Sequence, residues 1–238
     1  MFGQLFNNIP PVVKNLLIIN GLFFLATIVL EGQDIFLIHE LGIHYPDSPF
    51  FEPYQLATHF FMHSGFLHIL LNMFGLIIMG SHLERYWGPK RFLIFYFVTA
   101  LGAAILHMAV QGIEVYQITG SWYPMNSGNT EEILSSLSPG EFQKLGDILG
   151  APAVGASGAI FGLILAFGML FPNTQFMLLF PPIPIKAKWL AIGLGVFALV
   201  SGLADQEGDS VAHFAHLGGM LFGFIMIKIW QRDKNRFY

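Results

Sequence analysis

Six apolar stretches, near residues 15–30, 66–83, 92–110, 154–171, 189–203 and 211–230, constrain the fold of this chain more than any other feature. A bilayer helix needs about 20 predominantly apolar residues, and in lipid its backbone polar groups must find partners within the segment. All six are therefore predicted to cross a membrane as helices. Pro152 and Pro172 bracket the fourth, and Pro181, Pro182 and Pro184 turn the chain into the fifth. The run at 176–180 is too short for a seventh span and reads as an interfacial loop. Only 11% of residues are charged, against about 25% in soluble domains, so lipid is the solvent for much of the surface.

Lysine and arginine set the expected orientation, because they concentrate on the cytoplasmic side. With the N-terminus inside, Lys14, Arg85, Lys90, Arg91, Lys186, Lys188, Lys228, Arg232, Lys234 and Arg236 all fall there, and Lys144 alone falls outside. The expected fold is an all-α membrane protein, a bundle of six transmembrane helices with both termini cytoplasmic. The start of the chain lacks the pattern of a cleaved signal peptide, so the first apolar segment is expected to remain as an anchor. A net charge of −4 argues against a nucleic-acid partner, and the absence of cysteine excludes disulfides and thiolate chemistry.

Two outer segments exceed simple connectors. Residues 31–65 are rich in aromatics and prolines and could lie along the interface. Residues 112–152 form a polar insertion, in which Ser138-Pro-Gly-Glu141 has the pattern of a capping box with proline at the first helical position. Phe142, Leu145, Ile148 and Leu149 then make one apolar face. A short outer helix is expected there.

Ionisable groups inside a membrane are expensive and call for a reason. The second, fourth and sixth stretches run in the same direction, so their early residues share one depth. The second and its lead-in carry His59, His63, His68 and Asn72; the fourth begins Gly155-Ala-Ser157-Gly158; the sixth carries His213 and His216. Such a set supports acyl transfer. A serine hydroxyl becomes a useful nucleophile when an adjacent base takes its proton, and histidine suits that task. The tetrahedral intermediate needs donors at its oxyanion. His68 and Asn72, four apart on one helix face, can donate, as can the Ser157 amide at a helix start. Glycines around Ser157 and His216 permit close helix approach.

At these residues the chain resembles the rhomboid intramembrane serine proteases. Gly155-Ala-Ser157-Gly158-Ala-Ile-Phe161-Gly162 is similar to their GxSG nucleophile motif. Ala215-His216-Leu-Gly218-Gly219-Met-Leu-Phe-Gly223 resembles their catalytic-histidine helix, and His63-Ser-Gly-Phe-Leu-His68-Ile-Leu-Leu-Asn72 their second-span HxxxxHxxxN pattern. Gly80-Ser-His-Leu-Glu84-Arg85-Tyr-Trp-Gly88 matches the turn that follows. The resemblance runs from about Glu52 to Gly223. It implies a rhomboid-like bundle, residues 1–238 as a single membrane domain with an outer insertion at about 112–152, and a serine endopeptidase that hydrolyses bonds in or next to transmembrane segments of membrane proteins. The implied catalytic pair is Ser157 and His216, with His68 and Asn72 stabilising the oxyanion and His63, Gly155, Gly158, Phe161 and Gly219 supporting the site. Phe161 stands where some members carry a tyrosine stacked on the histidine, and Tyr54-Gln55 where many carry a basic pair.

Alternatives remain at this level. His213 competes with His216 as the base. His59 and His63, one helical turn apart, have metal-ligand spacing or support the active-site loop. The expected partners are transmembrane protein substrates and membrane lipids, with no cofactor and no metal; client and oligomeric state are not written in the motifs. A bacterial cytoplasmic (inner) membrane is expected, with the active site opening to the non-cytoplasmic side.

Overall fold

The computed structural model describes residues 8–177, 182–204 and 210–234. Helix α1 spans Pro11–Glu31, with Pro11 at its first position, where a missing N–H costs nothing. A loop carrying the short helices α2 (Leu37–Leu41) and α3 (Gln55–Thr58), the latter running into a 3-10 turn at His59–Phe61, leads to α4 (Phe66–Gly75). A π turn at Leu76–Gly80 joins α4 to α5 (Ser81–Trp87) as one continuous apolar rod. After Gly88, α6 runs through Pro89–Thr119. Helices α7 (Thr130–Ser136) and α8 (Pro139–Gly150) follow, then α9 (Ser157–Leu170). Strands β1 (Gln175–Met177) and β2 (Pro184–Lys186) pair antiparallel, with Phe176 opposite Ile185, before α10 (Ala187–Leu203) and α11 (Ser210–Lys234).

The expectation of six spanning helices with both termini cytoplasmic is corrected. Among the described residues four helices are long and apolar enough to cross a membrane: Pro11–Glu31, Phe66–Trp87, Pro89–Thr119 and His213–Arg232. The fourth and fifth apolar stretches form shorter helices of 14 and 17 residues. At 1.5 Å per residue these reach about 21 and 26 Å, less than a hydrocarbon core of about 30 Å. The interfacial loop expected at 176–180 begins in β1; residues 178–180 lie outside the described part.

The reason α9 is short lies in its surroundings. It packs against α6, α10, α11 and the π turn, and Gly158, Ala159, Ile160, Leu163, Ile164, Ala166 and Phe167 are all buried. Its apolar character serves a protein core, the usual role of an apolar helix of 10–14 residues. Around it Leu76, Leu83, Phe92, Phe95 and Tyr96 fill the centre of the bundle. Leu22 and Leu25 on α1, Leu67 and Leu71 on α4, Val196 and Val200 on α10 and Phe224 on α11 are exposed, an apolar exterior suited to lipid.

The 112–152 segment divides unexpectedly, since its first residues continue α6 to Thr119. The capping box is present: Glu141 N–H donates to Ser138 Oγ, and Ser138 N–H donates to the Glu141 carboxylate at 2.9 Å. Leu145, Ile148 and Leu149 of α8 pack with Val115 and Tyr45 in a second small core. Asp47 accepts from Met125 N–H (2.7 Å) and from the Asn126 amide, and Tyr45 O–H donates to Trp122 O at 2.8 Å. The insertion is thus fastened to the loop between α1 and α4.

Glu84, only 2% exposed, accepts from Val12 N–H at 3.0 Å and Val13 N–H at 2.8 Å. These are first-turn donors of α1 that no helical carbonyl can reach, and a carboxylate also complements the helix dipole there. The Arg85 guanidinium donates to Asn8 O beside it. Glu84→Ala leaves both N–H groups without an acceptor and is expected to cost about 1–3 kcal/mol. The thermal unfolding midpoint in detergent should fall clearly below that of Glu84→Gln, which keeps one acceptor oxygen.

Candidate active site

Ser157 is the first residue of α9, and the chain before it is held out of helix. Ile43 and Ala153 form an isolated bridge, each N–H donating to the other's carbonyl at 2.9 and 2.8 Å. Gly155 N–H then donates to His59 O at 2.9 Å. Gly155 has φ +120°, in the region glycine occupies without strain. A Cβ there would lie 2.7 Å from His68 Nε2 and 3.7 Å from Ser157 Oγ, so both groups flank one point. These constraints delay the helix to Ala156 and Ser157 and leave the Ser157 N–H in an uncapped first turn.

His216 Nε2 lies 2.9 Å from Ser157 Oγ, and both residues are half-buried. The approach depends on missing side chains: a Cβ on Gly219 would lie 1.9 Å from Gly158 O, and one on Gly158 2.3 Å from Ala103 Cβ. The backbones of α9, α11 and α6 therefore meet in direct contact. Phe161, one turn after Ser157, stacks on the His216 ring with centroids 4.0 Å apart and planes 2° from parallel. That fixes the ring's orientation. His213 lies one turn earlier, edge-on to Phe197, its ring 6.2 Å from that of His216.

His68 is oriented by a residue that sequence reasoning passed over. Ser64 N–H donates to His68 Nδ1 at 3.4 Å, and Ser64 Oγ lies 3.1 Å from the same nitrogen. An accepting Nδ1 leaves the proton on Nε2, the nitrogen that faces Gly155 and Ser157. The signal was present, since Ser64 lies four residues before His68. Asn72, buried one turn further along α4, spends one amide N–H on His68 O at 2.8 Å. It stands on the same helix face as His68, and no direct contact joins it to Ser157 among the described hydrogen bonds.

His63 is buried, its ring edge-on to His68 at 5.0 Å and its Nδ1 3.3 Å from Phe61 O. His59 Nδ1–H donates to Gln55 O at 2.7 Å. Burial lowers both histidines to about 4, so both are neutral near pH 7. The metal-ligand spacing suggested for this pair assumed a continuous helix. His59 instead belongs to a 3-10 turn and Met62 is extended (ψ 144°), which breaks that register. Among the described residues no group of three or more His, Cys, Asp or Glu gathers in a way that could hold a metal. Gln55, in the Tyr54-Gln55 pair that stands where many members carry a basic pair, is buried and ties the loop between α1 and α4 together: its amide donates to Glu40 O and Phe50 O (3.2 and 2.9 Å), and its Oε1 accepts from His44 N–H at 3.3 Å. A cavity of about 40 Å³ lies beside Ser157, lined in part by His59, His107, Gly155 and Gly158, with room for a water molecule.

Residues 51–232 match the family profile described as the Rhomboid domain. The chain is 25% identical to "Rhomboid-like protein 16, chloroplastic" of Arabidopsis thaliana, over 97% of this chain and 65% of that protein. It is 29% identical to "Rhomboid protein 1, mitochondrial" of Saccharomyces cerevisiae, over 74% of this chain and 42% of that protein. With "Putative rhomboid protease YdcA" of Bacillus subtilis it shares 27% identity over 96% of this chain and 95% of the relative. The chain thus spans less than two thirds of the length of the plant and yeast relatives. The profile takes in α4, α6, α9 and α11, the helices whose contacts bring His68, Ser157 and His216 together, and this chain belongs to the rhomboid family of membrane proteins.

Proposed function

We propose that the chain is an intramembrane serine endopeptidase acting on transmembrane segments of other proteins. Rhomboid membership supports serine-protease-like function in general, and the observation that carries the finer reading is the 2.9 Å approach of His216 Nε2 to Ser157 Oγ. In this reading Ser157 Oγ attacks the scissile carbonyl carbon while His216 takes its proton. The His68 Nε2–H, the remaining Asn72 N–H and the Ser157 amide donate to the oxyanion. Collapse of the intermediate breaks the C–N bond, His216 returns the proton to the leaving amine, and water activated by the same imidazole releases the acyl group from Ser157.

Depth supports a substrate within the bilayer. Gly158 meets α6 at Ala103, close to the middle of the longest apolar helix. The far end of α9 abuts an aromatic cluster with Trp87 and Trp230 5.3 Å apart, the residue type that marks membrane interfaces. Ser157 lies about 20 Å along α9 from that cluster, hence about 10 Å inside the opposite boundary of a 30 Å core. A substrate helix must unwind there, because its own hydrogen-bond ladder shields each peptide bond.

A fluorophosphonate probe tests the reading. Purified folded protein is expected to carry one covalent label, mapped by peptide mass to Ser157, with labelling lost in Ser157→Ala. Unlabelled wild-type protein, or label on another serine, overturns it.

A further inference from the structure

A second cavity, of about 80 Å³, opens at the end of α9 far from Ser157, among the ends of α5, α6 and α11. Its floor is apolar, made by Leu170 and Ile227, and its walls include Trp87 and Trp230. Arg91 and Gln231 bring polar groups to the same space. The Arg91 guanidinium lies over the Trp230 ring, 5.8 Å from its centroid. Trp230 is itself held edge-on by Trp87 and packs against Phe95 at 6.1 Å. The cation therefore stands on a fixed aromatic wall. Among the described residues no carboxylate pairs with it, and the acid close in sequence, Glu84, is spent on the N–H groups of α1. Arg85, Lys90, Lys228 and Arg232 add positive charge to the same helix ends.

An apolar floor, aromatic walls and a guanidinium at the edge form an amphiphilic pocket. Guanidinium matches the geometry of phosphate oxygens, and tryptophan prefers the headgroup level of a bilayer. Basic pockets between membrane helices recognise anionic headgroups. We propose that this cavity binds an anionic phospholipid, with its phosphate held by Arg91 and the Gln231 amide and an acyl chain lying along Leu170 and Ile227. Leu170 ends the helix that begins with Ser157, and Ile227 belongs to the helix that carries His216. A bound lipid therefore braces the far ends of these two helices against each other and stabilises the fold, whether or not the chain is a protease.

The test uses delipidated full-length protein in a neutral detergent, titrated with dioleoylphosphatidylglycerol, dioleoylphosphatidylcholine or inorganic phosphate, and reads the unfolding midpoint. Phosphatidylglycerol is expected to raise the midpoint saturably, phosphatidylcholine to act only at higher concentration, and inorganic phosphate to have no effect. Arg91→Gln should weaken the apparent affinity for phosphatidylglycerol about fivefold. Lys186→Gln, the same charge change away from the cavity, should leave it unchanged. Should Arg91→Gln fold poorly, Arg91→Lys serves, keeping the charge but losing the planar fork, with an intermediate affinity expected. Equal response to the two lipids, or undiminished phosphatidylglycerol affinity in both Arg91 variants, overturns the proposal. So do an equal loss in Lys186→Gln and a midpoint shift reproduced by inorganic phosphate alone.

Discussion

His216→Ala is expected to lower the turnover of a fluorogenic transmembrane-peptide substrate by about 10⁴- to 10⁶-fold, with KM nearly unchanged. The Ser157 hydroxyl is a weak nucleophile at neutral pH, and the imidazole 2.9 Å away is the group placed to take its proton. Removing it leaves the proposed oxyanion donors on α4 and at the start of α9 in place, so residual catalysis above the uncatalysed rate should persist. Substrate binding should survive, because the effect falls on proton transfer and not on the surface that receives the substrate. The variant also removes the ring on which Phe161 stacks, at a modest cost in stability that the unfolding midpoint will report separately. Turnover within tenfold of the wild type, in protein that remains folded, would exclude His216 as the base.

The second large effect needs one methyl group. Gly219→Ala places a Cβ 1.9 Å from Gly158 O. The obstacle is backbone, so no side-chain rotation relieves it, and α11 must move away from α9 by an ångström or more. Overpacking of this kind costs about 1–3 kcal/mol. The functional loss should be larger, because a displacement of about 1 Å in reacting groups can cost 10²-fold and here it separates Ser157 from His216 directly. Activity is expected to fall at least ~10²-fold, together with a lower unfolding midpoint. Gly193→Ala is the control: a Cβ on Gly193, in α10, meets nothing within 4 Å, and alanine is the better helix former. That variant should retain full activity and equal or greater stability. Equal behaviour of the two variants would show that the close contact of α9 with α11 does not govern the site.

Much of the candidate site is legible in residue order because its chemistry is local. Ser157 with its flanking glycines, His216 before Gly218 and Gly219, and His68 four residues from Asn72 are short patterns whose residue types carry the meaning. The capping box at Ser138 and Glu141 is legible for the same reason, since both partners lie within one turn. Less legible were the groups that orient the chemistry. Ser64 fixes the His68 tautomer through a backbone N–H, and Gln55 ties down the loop between α1 and α4 through carbonyls. Neither bond leaves a mark in hydropathy or in charge.

The number of spanning helices was misread for a related reason. Hydropathy records that a side chain avoids water and is blind to whether lipid or protein replaces it. Residues 154–171 are as apolar as a span, yet α9 is a 14-residue core helix. Where that helix starts is decided by bonds distant in sequence, between Ile43 and Ala153 and between His59 and Gly155. The amino-acid order by itself determined a membrane protein with a serine, two histidines and glycines at meaningful spacings, because composition and short motifs are local properties. Only the tertiary structure decided that α9 is buried as a core helix and that His216 reaches Ser157, because those outcomes depend on backbones meeting where a single methyl group would not fit.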